Sequence, residues 1–472
     1  MTLRALLRIL SLLLLLPVAV SAQPNRKPRV LILSDIEADP DDTQSFVRLL
    51  LYSNQWDIEG LIATTSIHQQ QRVAPESIVK VLDAYKKIQP NLLKHEQGYP
   101  AYETLRSKVK TGLAVYGMQG VGEGKDSEGS DWIVQLLQKK DDRPLWVCVW
   151  GGPNTLAQAL WKVQHTMNAE AAAKIYQKLR VYTISDQDDS GPWLRNTFPS
   201  LFFVVTPGYA YSKATWIGIM GAMPGSNTEV VSNEWLAKNI QQGHGPLGAI
   251  YPDVAYGMEG DTPSFLSLIN NGLNDPEHPN YGGWGGRYEY YLPALEQSNN
   301  GMFSRPDWPK DLAETRPIWT NANDSVVSPI DKKTYYGNRE TIWRWRVEFQ
   351  NDFAARMQWT TKTYKECNHP PVIKLAHSKR LRLKSGQSIR LSASGTTDPD
   401  GDSMSYLWFP YREAGTYKGP LRFPIAAGNM YEVPFVAPAV DSEQTIHMIL
   451  KVTDKGSPAL TRYQRVIITV EP

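Results

Sequence analysis

Five carboxylates crowd into the eight residues Asp35-Ile-Glu37-Ala-Asp39-Pro-Asp41-Asp42, directly after the apolar run at residues 30–33. One acid at such a place is an ordinary helix cap, and acids in a first helical turn are favourable with the helix dipole. Capping does not account for five. Like charges at that density repel unless a cation sits among them, and a hard cation such as Ca²⁺ takes roughly six to eight oxygen ligands. A carboxylate beside such a cation is also placed to take the proton of an attacking water.

Other stretches offer related chemistry. Trp150-Gly-Gly-Pro-Asn154-Thr155 is a flexible turn that opens a helix, with Pro and Asn near its start. Residues 185–196 form a polar loop that holds Asp186, Arg195 and Asn196, and it reads either as a solvated acidic loop or as a substrate loop. In Glu259-Gly260-Asp261-Thr262-Pro263, Asp261 precedes an apolar helical run and by itself would be a good N-cap. The loop Gly282-Gly-Trp284-Gly-Gly-Arg287-Tyr288 could stack on sugar rings or cover the core. His68, His244 and His278 stand alone, without metal-ligand spacing.

These residues need strands and helices to position them. Residues 30–33 read as a buried parallel strand, and residues 42–50 as a helix whose apolar positions fall three and four apart. Residues 56–65, 145–150 and 179–184 read as further strands, with helical patterns at 73–88 and 130–139 between them. Alternating strands and helices predict a mostly parallel open sheet with helices on both faces and right-handed crossovers. Ligands bind such sheets at the carboxyl ends of the strands. Asp35, Thr64 and Trp150 are all strand-end residues and can meet there, with His68 just beyond the second strand.

With these motifs in place, the chain resembles the nucleoside hydrolases. Their Asp-x-Asp-Pro-Gly-x-Asp-Asp signature aligns Asp35 with its first Asp, Glu37 with its second, and Asp41 and Asp42 with its last two. Glu37 stands where that family has an Asp that touches Ca²⁺ and activates water, and Ala38-Asp39 replaces Pro-Gly. The turn from Trp150 to Ala157 resembles the family's Thr-Gly-Pro-Leu-Thr-Asn-x-Ala, which implies a Trp150 carbonyl on Ca²⁺. Asp261 matches the late Asp that completes the Ca²⁺ shell, with Gly260 where the family often has His. The whole mature chain is similar to a group of secreted bacterial proteins with a nucleoside hydrolase-like domain and a C-terminal β domain, some of them labelled cellulose-binding.

What the resemblance implies is a Ca²⁺-dependent hydrolase of a glycosidic bond, first of all an N-glycosidic bond to a ribose-like sugar. Asp35, Glu37, Asp42, the Trp150 carbonyl and Asp261 would surround the ion. Glu37 would be the base, with Asp41 or Asp39 next in line, and Asp41, His68, Asp186, Arg195 and Asn196 would face the substrate. The alternative expectation is a saccharide-binding protein that kept the cation cradle and lost the chemistry. Either way the partner is a small nucleoside-like or saccharide molecule.

Composition narrows the setting. Residues 1–22 carry Arg4 and Arg8, a leucine-rich core and a Val-Ser-Ala end, the pattern of a secretory signal peptide cleaved after Ala22. The expectation is a secreted or periplasmic protein without stable membrane insertion, because the apolar run is shorter than the roughly 20 residues a span needs. Cleavage removes two of 50 basic residues and none of the 48 acids, leaving the remainder formally neutral. A nucleic-acid partner would call for a basic excess, so none is expected. Cys148 and Cys367 are too few for a disulfide scaffold. No motif sets the oligomeric state.

The aromatic helical pattern at 341–357 closes a first domain, residues 23–369, and His369-Pro-Pro371 marks a stiff junction. Beyond it, short alternating segments at 388–393, 405–409, 446–453 and 464–470 predict an all-β, immunoglobulin-like sandwich over 370–472. Its turn Asp398-Pro-Asp400-Gly401-Asp402 could be an Asx turn or could hold a second Ca²⁺.

Overall fold

Alternation along the first strand sends its side chains into two cores. In β1 (Arg29–Ser34), Val30 and Ile32 join one buried cluster while Leu31 and Leu33 join another on the opposite face. A strand buried on both faces reads as a continuous apolar run, and such strands belong to parallel sheets covered by helices. The computed structural model describes residues 26–208, 211–293, 313–421, 423 and 429–472. The expected signal peptide, residues 1–22, lies outside them.

The sheet continues with β2 (Asp57–Ala63), β3 (Val109–Thr111), β4 (Leu145–Val149), β5 (Leu179–Ser185), β6 (Phe202–Thr206), β7 (Tyr288–Tyr291) and β8 (Ile318–Asn321). Their order is β3-β2-β1-β4-β5-β6-β8-β7, all parallel except β7, which runs against β8. From β1 the chain grows outward to β3, then returns to β4 on the other side of β1. That reversal opens a crevice beyond the carboxyl ends of β1 and β4.

The expected helix at 341–357 is two pieces, Glu340–Trp343 and Arg346–Gln358. Trp345 leaves helical geometry at φ −108°, ψ 4°, and its ring packs edge-on to Tyr411 and Tyr463 of the β domain. Tertiary packing overrides a continuous helical pattern there. The loop at residues 282–288 is core rather than a sugar platform: Trp284 is fully buried, edge-on to Phe349 and Tyr463.

After the hairpin of β9 (Asp324–Val327) and β10 (Thr334–Gly337), two further sheets form. One runs β11-β16-β15-β13, made of Arg380–Lys384, Thr461–Glu471, Gln444–Asp454 and Met404–Pro410. The other pairs β12 (Ser388–Ser392) with β14 (Glu432–Val436). Leu391, Val433 and Phe435 from the smaller sheet share a core with Trp408, Leu450 and Ile468 from the larger, which makes a sandwich. The reverse side of the larger sheet is not solvated. Tyr411, Ile449 and Tyr463 belong to the main core of the first domain, and the Arg465 guanidinium donates to the carbonyls of Leu273 and Gly282.

Cys148 and Cys367 are both free and buried. Cys148 donates to the Ser264 carbonyl at 3.4 Å, and burial pushes its thiol up to about 12. Among the described residues no helix is long and apolar enough to cross a membrane.

Candidate active site

The chain leaves β1 through a tight turn in which the Ala38 amide donates to the Asp35 carbonyl at 2.9 Å. Glu37 occupies the third position of that turn with φ +80°, a left-handed conformation uncommon outside glycine. After Pro40 the helix Asp41–Leu51 begins, with Asp41 and Asp42 in its first turn. β1 thus delivers Asp35, the turn delivers Asp39, and the helix start delivers Asp41 and Asp42.

Opposite them stand the ends of other elements. Trp150 follows β4, its amide held by the Leu33 carbonyl at 2.8 Å. Gly151 and Gly152 let that backbone close in: a Cβ on Gly151 would lie 2.7 Å from Asp35 Oδ1. Asp261 sits just before the short helix Pro263–Leu266. The Gly260 amide donates to Asp41 Oδ2 at 3.0 Å, which ties this loop to the helix start.

Together these residues line a cleft of about 410 Å³. Its floor is Asp35, Asp39, Asp41, Asp42, Asp261 and Trp150, and its walls include His68, Gln187, Tyr211, Trp216, Met220 and Tyr256. Among the described residues no Lys or Arg lines it. Asp35, Asp42 and Asp261 are 3%, 3% and 4% exposed, so their charges face low dielectric and one another. Burial, followed by mutual repulsion, holds the carboxyls of Asp41, Asp42 and Asp261 well above the usual range, and burial raises that of Asp35.

Several polar atoms already have partners. Ser34 Oγ donates to Asp42 Oδ1 at 2.5 Å, and Gln187 Nε2 donates to the Trp150 carbonyl at 2.5 Å. Asp261 Oδ2 is buried with no hydrogen-bond partner among the described residues. A carboxylate oxygen in that position has a deficit that a cation would remove. Ligand oxygens of Asp39, Asp41 and Asp42 lie within 4.8 Å of one another. An all-oxygen donor set of this kind fits a hard divalent cation of the Ca²⁺ or Mg²⁺ type.

Of the residues singled out in the sequence, the cleft therefore gathers Asp35, Asp39, Asp41, Asp42, Trp150, Asp261 and His68. Glu37 is not among its lining residues. Its side chain, 30% exposed, is paired with the Arg72 guanidinium and hydrogen-bonded by Ser77 Oγ, and it leaves a turn in which Glu37 is left-handed. Asp186, Arg195 and Asn196 also lie outside the lining. Asp186 and Arg195 form a buried two-pronged ion pair at 2.8 Å in each prong, extended to Glu314, and Asn196 accepts from Thr315 Oγ1 at 3.1 Å. Those contacts clamp the segment after β5 to the segment before β8.

The sequence did not single out the aromatic walls. His68 Nε2 and Tyr211 Oη are 3.1 Å apart, and Tyr211 packs edge-on to Trp216, whose Nε1 donates to Ser185 Oγ at 3.0 Å. Tyr211, Trp216 and Tyr256 come from irregular segments with no periodicity to flag them. Asp188 reads in the sequence as one more acid of a polar loop. It is fully buried behind Gly152, and burial pushes its carboxyl up to about 7.

Residues 29–288 match the family described as cellulose-binding Sde182, nucleoside hydrolase-like domain, and residues 388–470 match its C-terminal domain. Among solved structures, a nucleoside hydrolase-related hypothetical protein from Saccharophagus degradans, associated with carbohydrate metabolism, is 36% identical with a TM-score of 0.80. The alignment covers 94% of this chain and 100% of that one. The effector protein XOO4466 aligns over 72% of this chain and 95% of its own, at 10% identity and a TM-score of 0.34. No curated protein matches. The matched ranges take in the parallel sheet and the β sandwich, and the chain belongs to the Sde182 family of nucleoside hydrolase-like proteins.

Proposed function

We propose that the cleft binds a sugar through a hard divalent cation, Ca²⁺ by preference, and hydrolyses a glycosidic bond at that sugar. The observation that carries the reading is Asp261 Oδ2, buried and unpartnered among the described residues, in a cleft that it shares with four more acids and that no described Lys or Arg lines. Asp35, Asp42, Asp261 and the Trp150 carbonyl would hold the ion. The cation supplies positive charge that grips adjacent sugar hydroxyls and polarises water.

The protein's own groups do the rest. Trp216 and Tyr211 line the cleft and would stack on a sugar, and their edge-on packing at 5.6 Å keeps that wall rigid. Asp39 is our choice for the base: it lies in the cleft, half-buried, and its Oδ1 is oriented by the Asp41 amide at 2.8 Å. A carboxylate there can accept a proton from water attacking an oxocarbenium-like centre. Asp41, anchored by the Gly260 amide, would accept from a sugar hydroxyl. Glu37, in its pairing with Arg72, would act on the turn and not on the substrate.

A second reading has its own support. Glu37 points away from the cleft, and the matching family is described as cellulose-binding, so a saccharide binder that does not turn over its ligand is the competing function. Purified protein offered nucleosides and cello-oligosaccharides, with Ca²⁺ and with chelator, separates the two. Ca²⁺-dependent release of free sugar that disappears in Asp39→Asn supports hydrolysis. Ca²⁺-dependent binding with no product from any glycoside supports the binder.

A further inference from the structure

Three side chains at the root of the β domain each use one polar atom for structure and leave a buried oxygen over. Asp454, at the end of β15, is fully buried; its Oδ1 accepts from the Gly456 and Leu460 amides at 3.1 and 2.9 Å and from Asn368 Nδ2 at 3.0 Å. Asn368 is 5% exposed, and its Nδ2 also donates to the Pro458 carbonyl at 2.8 Å, which fixes the amide so that Oδ1 is the atom left over. Asp398, in the turn before β13, accepts from the Asp400 and Asp402 amides through Oδ1 at 2.9 and 3.0 Å. Asp454 Oδ2, Asn368 Oδ1 and Asp398 Oδ2 are all buried without a hydrogen-bond partner among the described residues.

A chain of contacts links the three residues. Asn368 is bonded to Asp454, and the next residue, His369, is gripped by Asp400: its amide donates to Asp400 Oδ2 at 2.6 Å. The Asp398 charge acts on Asp454, adding to the upward push of burial on that carboxyl. No ion pair to Asp398 or Asp454 is present among the described residues. Gly456 makes the approach possible, since a Cβ there would lie 2.2 Å from Asn368 Cγ.

All three unsatisfied atoms are acceptors. One water has two hydrogens to donate and leaves at least one of them unserved, whereas a cation satisfies every oxygen at once. We propose that Asn368, Asp398 and Asp454 form a second divalent-cation site, of the Ca²⁺ type, which clamps the turn before β13 and the end of β15 to the segment that enters the β domain. The site is independent of the cleft. The turn at residues 398–402 is thus both an Asx turn, through Oδ1, and a ligand, through Oδ2.

The test uses the full mature chain and Ca²⁺ as the probe. Asp42→Asn silences the cleft, and chelator-treated protein is titrated with Ca²⁺ by calorimetry. One bound Ca²⁺ per chain is expected in Asp42→Asn, with affinity lowered about tenfold or more when Asp398→Asn is added, since ligand charge sets Ca²⁺ affinity over decades. Asp398 lies on a surface turn, so this variant keeps the test alive if Asp454→Asn fails to fold. Crystals of the unaltered protein soaked in Tb³⁺ read the two sites separately, with an anomalous peak expected between Asp398 and Asp454. Equal Ca²⁺ binding with and without Asp398→Asn, or no peak there, overturns the proposal.

Discussion

Arg48 and Glu259 meet as a wholly buried, two-pronged ion pair, Nε to Oε2 at 2.5 Å and Nη2 to Oε1 at 3.1 Å. The pair fastens the loop that carries Asp261 to the helix that starts at Asp41. Tyr251 Oη and Thr262 Oγ1 donate to the same carboxylate at 2.7 and 2.8 Å, the Glu259 amide donates to Gln44 at 2.9 Å, and the Arg48 guanidinium lies 3.9 Å from the Phe353 ring centre. Glu259 holds φ +52° within this network.

Breaking a buried pair strands the other charge, at a cost of about 3–5 kcal/mol. Arg48→Met is expected to lose stability on that scale in urea unfolding and to weaken cation binding, as Asp261 drifts from Asp41 and Asp42. Arg48→Met with Glu259→Gln should recover part of the stability. A single variant as stable as the double would remove the pair from this role.

A cation in the cleft should register as stability. Ligand at a hundred times its Kd adds about 2.7 kcal/mol, so the melting temperature should rise with Ca²⁺ and fall with chelator. Asp261→Asn should blunt the response measured in an Asp398→Asn background, where the second proposed site is silenced. An unchanged Ca²⁺-dependent rise in that background would dissociate Asp261 from the ion.

Asp39 and Glu37 make opposite forecasts. Asp39→Asn keeps the shape and the hydrogen bond to the Asp41 amide but cannot take a proton, so it should bind ligand and lose turnover by about a hundredfold or more. Glu37→Gln, with its side chain on Arg72 and Ser77, should retain turnover within a few-fold. Reversal of this order in steady-state kinetics would return the base role to Glu37.

Asp188 supplies a pH dependence. Its folded-state carboxyl is pushed up to about 7 from the ordinary 3.8, so the native state holds the proton over that window and the unfolded state does not. Stability associated with this group is full below about 3.8 and is lost as pH rises towards 7, at about 1.4 kcal/mol per pH unit across that interval. In chelator, Asp188→Asn should flatten the fall in stability between about pH 4 and pH 8 by about 2–4 kcal/mol relative to the unaltered protein. Parallel pH profiles would contradict the assignment.

A chain ending at His369 should fold poorly or lose several kcal/mol. It would expose Trp345 and Trp284, now covered by Tyr411 and Tyr463, and leave Asp324 without the Tyr411 hydroxyl that donates to it at 2.6 Å. Unfolding of the full chain should accordingly be one cooperative transition in calorimetry. Two well-separated transitions would show that the sandwich is a passenger.

Local order was legible in the sequence. Apolar residues that fill both faces of β1 predict a parallel strand, and acids that stop it predict a crevice at the strand ends; Asp35, Asp41, Asp42, Trp150 and Asp261 do lie together there. Strand alternation beyond residue 370 likewise marks the sandwich. These signals are short-range, since burial period and turn chemistry act within a few residues. Tertiary structure decided the rest. Glu37 aligns with an acid that touches the ion, yet a left-handed turn and the partners Arg72 and Ser77, 35 and 40 residues away, direct it outward. Asp186 and Arg195 read in the sequence as parts of one polar loop, and only the fold shows that they pair with each other and that Glu314, 119 residues after Arg195, joins them. That Asp261 and Asp454 each keep an oxygen without a partner among the described residues is likewise visible only in the folded chain. A side chain's chemistry is set by its residue type, but its availability depends on which distant groups reach it first, and that is a property of the packed chain.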